Sequence, residues 1–158
     1  MTLASQVTQA IATYCGIRLT SGPVTQKFDG DVEELIVKIG PATAVTSITD
    51  NDNSTTVAAS TYSLDTDLGS IYLRKGGKWG TSKSRQRYTV VYTAGYTTIP
   101  DDIQLAIDTW VNYLTTNNSG SLQSYKTGDD SETYYQIGSM PDTVKGLLQK
   151  YRRVIYWH

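Results

Sequence analysis

The chain has 158 residues, of which 18% are charged and 39% are hydrophobic, and its formal net charge is −1. This length and composition predict one globular domain and exclude a disordered tail. No run of about 18 apolar residues occurs, so no transmembrane helix is expected. The first residues lack the basic and apolar regions of a signal peptide, so none is expected. The net charge predicts no attraction of the whole protein to nucleic acid.

The first predicted element is an amphipathic helix from about residue 3 to residue 15. Its apolar residues recur at helical spacing, namely Leu3, Val7, Ala10, Ile11 and Tyr14. Gly16 is a suitable stop. Cys15 is the only cysteine, so an intramolecular disulfide is impossible. Its place in this apolar pattern predicts a buried, inert thiol.

An inserted antiparallel β-module is predicted from about residue 24 to residue 96. The first clear strand is Val32–Ile39, with Leu35, Val37 and Ile39 on one face. The turn composition of residues 65–69 predicts a hairpin. Tyr88–Thr93 is the clearest strand, because it alternates between two faces, with Tyr88, Val90 and Tyr92 on one of them.

A strand-to-helix junction follows this last strand. Gly95 can adopt a positive φ without penalty, which allows a sharp change of direction. Pro100 suits the first turn of a helix, and two aspartates follow it and complement the helix dipole. Gly95 and Pro100 are therefore predicted to form a structural hinge that fixes the angle between the strands and the next helix.

The rest of the chain predicts two more helices, at about residues 100–115 and 141–153. Residues 122–139 between them are polar and rich in tyrosine, which predicts extended or loop structure. The predicted fold class is α+β, as a single domain over residues 1–158. It is a small α-helical bundle, made of the N-terminal helix and two C-terminal helices, with the inserted antiparallel β-module.

The sequence offers no catalytic or metal-binding pattern. The only histidine is His158, the last residue, so a Ser-His-Asp or Cys-His system and a Cys/His zinc site are not expected. Asp50, Asp52 and Asn53 have the composition of a calcium loop, but its closing glutamate is replaced by Thr61, so a turn is favoured. No enzyme activity and no cofactor are predicted.

One stretch has six cations without an intervening acid: Arg74, Lys75, Lys78, Lys83, Arg85 and Arg87. Such a run can follow a phosphate backbone non-specifically or meet an acidic protein surface. It is also typical of a solvated loop.

Several segments, all in the same order, match one protein family. The most distinctive is Arg87–Tyr96 followed by Ile99–Ile103 and an apolar helix. The others are Ala44–Ile48, Tyr62–Asp65, Gly69–Tyr72 and Trp79, then Ser124–Ser131, and finally Met140–Leu148 with Tyr151–Arg153. Together they resemble the head-to-tail connector proteins of tailed phages, which are adaptor or head-completion proteins. The segment Ser124–Ser131 departs from the family pattern, because Asp130 separates its Gly-Asp pair from Ser131.

The resemblance implies a structural protein of the virion neck, made in the host bacterial cytoplasm. It implies a ring, usually of twelve copies, that binds below the portal protein, extends the DNA channel and receives the next neck or tail protein. DNA would pass through the ring non-specifically. The C-terminal segment of such proteins reaches into the portal, so the expected portal-binding residues are Arg152, Arg153, Ile155, Tyr156 and Trp157. The basic stretch is the expected contact with DNA or a neighbouring protein.

Other function classes remain open at this stage. A tail-completion or stopper protein also forms a ring in the neck, although helices at both ends argue against it. A carbohydrate-binding β-module is suggested by Trp79 and the tyrosines. A hydrolase ranks last, because no catalytic constellation is present.

Overall fold

The computed structural model describes residues 2–117, 122–127, 130–135 and 139–152, with backbone alone for residues 122–127 and 130–135. The elements of this part are α1 (Leu3–Cys15), β1 (Gly22–Phe28), β2 (Glu34–Ile36), β3 (Ala42–Asp50), β4 (Thr55–Thr56), a 3-10 turn (Ala59–Thr61), β5 (Tyr62–Asp65), β6 (Ser70–Leu73), β7 (Tyr88–Ala94), α2 (Asp101–Asn117), β8 (Leu122–Thr127), β9 (Asp130–Tyr135), α3 (Asp142–Leu148) and a second 3-10 turn (Gln149–Tyr151). The mixture of helices with antiparallel sheets confirms the predicted α+β class.

The chain divides into two compact units. The helical unit contains the described residues up to Cys15 and those from Ile99 onward, whereas the β-module is Gly16–Thr98. The chain leaves the helical unit after α1 and returns to it before α2. The expectation of a single domain over the whole chain stays a prediction.

In the helical unit, α2 packs against both α1 and α3. The buried side chains recur at helical spacing on all three helices, as the amphipathic patterns predicted: Val7, Ile11, Cys15, Ile103, Ala106, Ile107, Trp110, Leu114, Val144 and Leu148. Cys15 is fully buried, as expected, and burial raises its pKa, which favours the neutral thiol. Between α2 and α3, β8 and β9 form an antiparallel hairpin, where sequence predicted extended or loop structure.

The β-module contains a four-stranded sheet in the order β1-β7-β3-β4 and a three-stranded sheet in the order β2-β6-β5. The central strand β7 alternates between buried and half-buried residues, as predicted. Both sheets contribute to one core, in which Leu35 and Ile71 of the smaller sheet pack with Ile48, Val90 and Tyr92 of the larger one.

Aromatic side chains fill part of this core. Trp79 is 2% exposed, its Nε1 donates to the carbonyl of Ile71 at 3.2 Å, and its ring meets that of Tyr88 edge-on at 5.4 Å between centroids. Tyr62, Tyr88 and Tyr92 are also buried. These three tyrosines are therefore part of the core. Because Trp79 is buried, it cannot stack on a sugar, which removes one of the two features that suggested a carbohydrate-binding module.

Two predicted elements differ from the structure. The strand predicted at Val32–Ile39 is confined to β2, and Ile39 is 39% exposed rather than sharing the buried face of Leu35 and Val37. The helix predicted at residues 141–153 is α3 from Asp142 to Leu148, followed by the 3-10 turn that ends at Tyr151.

Candidate interaction surfaces

The basic stretch lies between the end of β6 and the start of β7, and three of its six cations have partners within the described part of the protein. Arg87 is turned inward, with only 13% of its side chain exposed. Lys78 forms an ion pair with Asp31 at 3.0 Å. Arg74 donates from Nε to the carbonyl of Tyr62 at 2.7 Å. The six charges therefore do not form one continuous patch.

Arg87 makes a two-pronged contact with Asp50, which is 7% exposed at the end of β3. Its Nε donates to Oδ1 at 3.2 Å and its Nη2 to Oδ2 at 3.0 Å. These hydrogen bonds lower the pKa of Asp50 below 3.8 and raise that of Arg87, so both groups stay ionised. The guanidinium also lies over the ring of Tyr88, 5.4 Å from its centroid. Arg87 is therefore part of the module's own structure.

Two glycines make room for the Arg87 side chain. A Cβ on Gly80, whose φ is +76°, would lie 2.7 Å from Nη1 of Arg87. A Cβ on Gly30 would lie 2.6 Å from the carbonyl oxygen of Ser82 and 3.1 Å from Cδ of Arg87. The loops that contain Gly30 and Gly80 are thus fitted closely around this one arginine.

The remaining cations of the stretch are exposed. Lys75, Lys83 and Arg85 form no ion pair with any residue whose side chain the structure describes. The backbone on either side of Arg85 is anchored, because the Ser84 carbonyl accepts from the Gly30 amide at 2.9 Å and the Gln86 amide donates to Asp29 at 2.8 Å. Lys83 and Arg85 consequently project from a fixed loop.

The other candidate surface is the end of the helical unit. Lys150 donates to the carboxylate of Asp102 in the first turn of α2, which lowers the pKa of Asp102. The Tyr151 hydroxyl lies 3.4 Å from the same carboxylate. Arg152 lies over the Tyr14 ring of α1, 5.5 Å from its centroid. These contacts fasten the end of the described chain to both long helices.

A family model described as "Head completion protein" matches residues 2–154, which is nearly the whole chain. The chain belongs to this head completion protein family. The resemblance noted from the sequence is confirmed, and with it the expected location in the virion. No protein with a curated description matches the chain.

Solved structures share the fold of this head completion protein. A chain of the "neck of native GTA particle computed with C12 symmetry" has a TM-score of 0.64 at 18% identity, covering 98% of this chain and 81% of that one. A chain of the "neck of empty GTA particle computed with C6 symmetry" gives 0.64 at 19%, covering 98% and 77%. A chain of the "virion of native gene transfer agent (GTA) particle" gives 0.59 at 18%, covering 98% and 76%.

The predicted hinge residues of the head completion protein are both held by hydrogen bonds. Gly95 has a φ of +104°, and its amide donates to the carbonyl of Pro41 at 2.9 Å. Pro100 directly precedes α2, and its carbonyl accepts from the amides of Ile103 and Gln104 at 3.0 Å. It therefore occupies the N-cap position, one residue before the predicted first turn. Whether the two residues act as a hinge stays a prediction.

Of the predicted portal-binding residues of this head completion protein, only Arg152 is described. Arg153, Ile155, Tyr156 and Trp157 lie outside the described residues. The acidic partners of the basic stretch were not predicted from the sequence. Asp50 lies far along the chain from its partner Arg87, and Asp31 lies far from its partner Lys78. One signal was present in the sequence. Asp50 ends β3 and Arg87 directly precedes β7, so the antiparallel pairing of these two strands brings the two residues together.

The described part of the head completion protein has no group of three His, Cys, Asp or Glu side chains placed to hold a metal ion. None of its described helices is both long enough and apolar enough to cross a membrane.

Proposed function

We propose that this head completion protein forms a ring of twelve copies below the portal, extends the DNA channel and connects the head to the tail. The observation that carries the proposal is the family match over residues 2–154. The fold shared with chains from necks of C12 and C6 symmetry supports a ring. The work is assembly rather than catalysis, in keeping with a chain whose only histidine is its last residue.

Imaging of the purified protein, alone and with portal, tests this proposal. We expect rings with twelvefold symmetry, either free or only on the portal, because many ring subunits assemble on a template. A protein that stays monomeric and unbound at high concentration with intact portal contradicts it. A ring that binds tail components but not portal favours a stopper protein instead.

We also propose that the C-terminal segment anchors the portal through Arg152, Arg153, Ile155, Tyr156 and Trp157. A mixture of basic and aromatic residues at a chain end suits insertion between subunits of another protein. Arg152 stands at the base of this segment, exposed, against the Tyr14 ring.

Truncation after Arg152 tests the anchor while leaving the contact between Arg152 and Tyr14 in place. We expect the affinity for portal, measured by co-sedimentation, to fall by about thirtyfold or more, since losing even one aromatic anchor costs about 2 kcal/mol. The helical unit should stay folded, as checked by circular dichroism. Unchanged co-sedimentation with a folded truncation contradicts the anchor.

For the exposed cations Lys75, Lys83 and Arg85, we propose a contact with an acidic protein surface rather than with DNA. The main support is that half of the basic stretch is neutralised or hydrogen-bonded within the module, which leaves a small patch for a phosphate backbone. Salt-dependent DNA binding by the purified protein tests this choice. Steep salt dependence that vanishes when Lys83 and Arg85 are neutralised assigns the patch to DNA.

A further inference from the structure

The three-stranded sheet of the β-module has one face in the core and one face turned away from it. Leu35, Leu64 and Ile71 pack in the core. Strand alternation places their neighbours along each strand on the opposite face, called here the outer face. The register lines these neighbours up in two rows, which are Glu34, Tyr72 and Ser63 in the first and Ile36, Ser70 and Asp65 in the second.

The outer face exposes apolar groups next to a cavity. Ile36 is 53% exposed and Tyr72 is 41% exposed. Beside Tyr72 lies an open cavity of about 410 Å³, whose lining includes Glu33 and Glu34. Exposed apolar groups that are rimmed by polar residues are typical of a surface that binds another protein. The outer face is therefore a candidate docking surface.

The charge of this surface indicates what kind of partner it would bind. The outer face and its edges carry four carboxylates that form no ion pair with any residue whose side chain the structure describes, namely Glu33, Glu34, Asp65 and Asp67. Lys78 also lines the cavity, but its ammonium is paired with Asp31 at 3.0 Å. A cationic partner would satisfy these carboxylates.

Lys83 and Arg85 have the complementary charge. Both side chains are exposed, and the Ser84 hydroxyl between them donates to Asp52 at 3.0 Å, which anchors their loop. An anchored loop loses little conformational entropy when it binds. An arginine suits the cavity in particular, because a guanidinium pairs with carboxylates and also stacks on a tyrosine ring.

We propose that the outer face of one subunit receives Lys83 and Arg85 of the next copy, with the Arg85 guanidinium in the cavity beside Tyr72. This inference rests on the proposed ring and names the acidic surface that the exposed cations meet. A closed ring of identical chains needs two different and complementary surfaces on each subunit. The outer face and the loop of Lys83 and Arg85 supply such a pair, and the contact weakens as salt rises.

Two charge-reversed chains test the contact, with rings counted by imaging in the presence of portal. The first carries Lys83→Glu with Arg85→Glu. The second carries Glu33→Lys with Asp67→Lys, which leaves the hydrogen bond from Ser70 to Glu34 in place. Each chain alone should give about tenfold fewer rings than the natural chain, because like charges then face each other. An equimolar mixture should regain rings in which the two chains alternate, since each altered surface meets its complement on the other chain.

Tyr72 tests the position of Arg85 within the contact. Tyr72→Ala should lower the yield of rings about threefold, because the guanidinium loses the ring on which it stacks. Tyr72→Phe is the matched control, since it keeps an aromatic ring, and it should give the natural yield. Equal yields from the two variants would remove Arg85 from the cavity.

Several outcomes overturn the contact while leaving the ring intact. Natural yields from each reversed chain alone would do so, as would a mixture without rings although both chains are folded. A chain with all four reversals that forms rings while the mixture does not would place the pairing within one subunit. Lost DNA binding with an unchanged yield of rings would assign Lys83 and Arg85 to DNA.

Lys27→Glu, at an exposed position of β1, is the control for charge alone and should leave the yield of rings unchanged. An equal loss from this variant would show that net charge, rather than the outer face, governs assembly. Failure of the natural chain to form rings with portal is a different result, because it contradicts the proposed function itself.

Discussion

At the scale of single residues, the contact between Arg87 and Asp50 shows that a run of like charges in the sequence need not be a surface patch. Arg87 ends the run, yet its guanidinium is held by Asp50 and lies 3.6 Å from a carboxylate oxygen of Asp52. Asp50 also accepts from the side chain of Asn53 and the amide of Asp52, so every oxygen of this buried carboxylate is satisfied. The pair fastens the turn after β3 to the start of β7.

Asp50→Asn is expected to destabilise the β-module by about 1–3 kcal/mol, because it removes the nearer and less exposed of the two carboxylates that face the Arg87 guanidinium. Asp52→Asn is the matched control, since the side chain of Asp52 is 40% exposed and its contact is longer. Urea denaturation of both variants measures the difference in the free energy of unfolding. Equal losses would show that the buried position of Asp50 is unimportant.

The same pair predicts a pH dependence. The pKa of Asp50 is lower in the folded protein than the ordinary value of 3.8. The unfolded chain therefore binds the proton more readily, and the stabilisation is present above pH 3.8 and is lost as pH falls through the folded pKa. We expect the difference in unfolding free energy between natural chain and Asp50→Asn to shrink below about pH 4. A difference that stays constant from pH 6 to pH 2.5 refutes this assignment.

Gly95→Ala is expected to cost at least about 2 kcal/mol, because it combines a positive φ with a collision. Its Cβ would lie 2.3 Å from the carbonyl oxygen of Thr20, which is backbone and cannot rotate away. Gly76→Ala is the control, as Gly76 also has a positive φ, +72°, but has open space around it. Its expected cost is about 1 kcal/mol. Thermal unfolding compares the two variants. Equal shifts in Tm would mean that the backbone at Thr20 moves away from the added Cβ.

At the scale of elements, α2 has one face that packs in the core and another that is exposed. Its buried stripe includes Ile103, which is fully buried, whereas Leu105 on the opposite side is 53% exposed. Asp101 and Asp102 lie in its first turn, where the helix dipole favours acids, and Pro100 caps it.

Ile103→Ala is expected to destabilise the helical unit by about 2–5 kcal/mol, because it opens a cavity among packed helices. Leu105→Ala should change the free energy of unfolding by less than about 0.5 kcal/mol, since little burial is lost. Denaturation monitored by circular dichroism compares the two. A large loss from Leu105→Ala in the monomer would show that its side chain packs more than its exposure indicates.

At the scale of the whole molecule, the β-module is a continuous insertion, whereas the helical unit is assembled from both sides of it. The two ends of the module are close, because the Ser21 amide donates to the carbonyl of Tyr96 at 3.0 Å. The module also has its own core, which includes residues of both sheets.

A fragment of residues 16–98 is therefore expected to fold without the helices. Its amide spectrum by NMR should be dispersed, and Trp79 should fluoresce as a buried indole, because its core contacts all lie within the fragment. Calorimetry of the intact chain then tests the single-domain expectation, which requires one unfolding transition. An unfolded fragment would show that the module depends on the helical unit.

The sequence by itself determined the three helices, the strand β7, the hairpin after Asp65 and the family. Those features depend on local periodicity, on turn residues and on motif order, which are all written along the chain. Only the tertiary structure decided that Arg87 faces Asp50, that Lys78 faces Asp31, and that Trp79 belongs to the core. These facts depend on which strands pair and in what register, since pairing brings the partners of these two ion pairs together across 37 and 47 positions of sequence. Composition counts charges, whereas strand pairing decides which of them remain exposed for a partner.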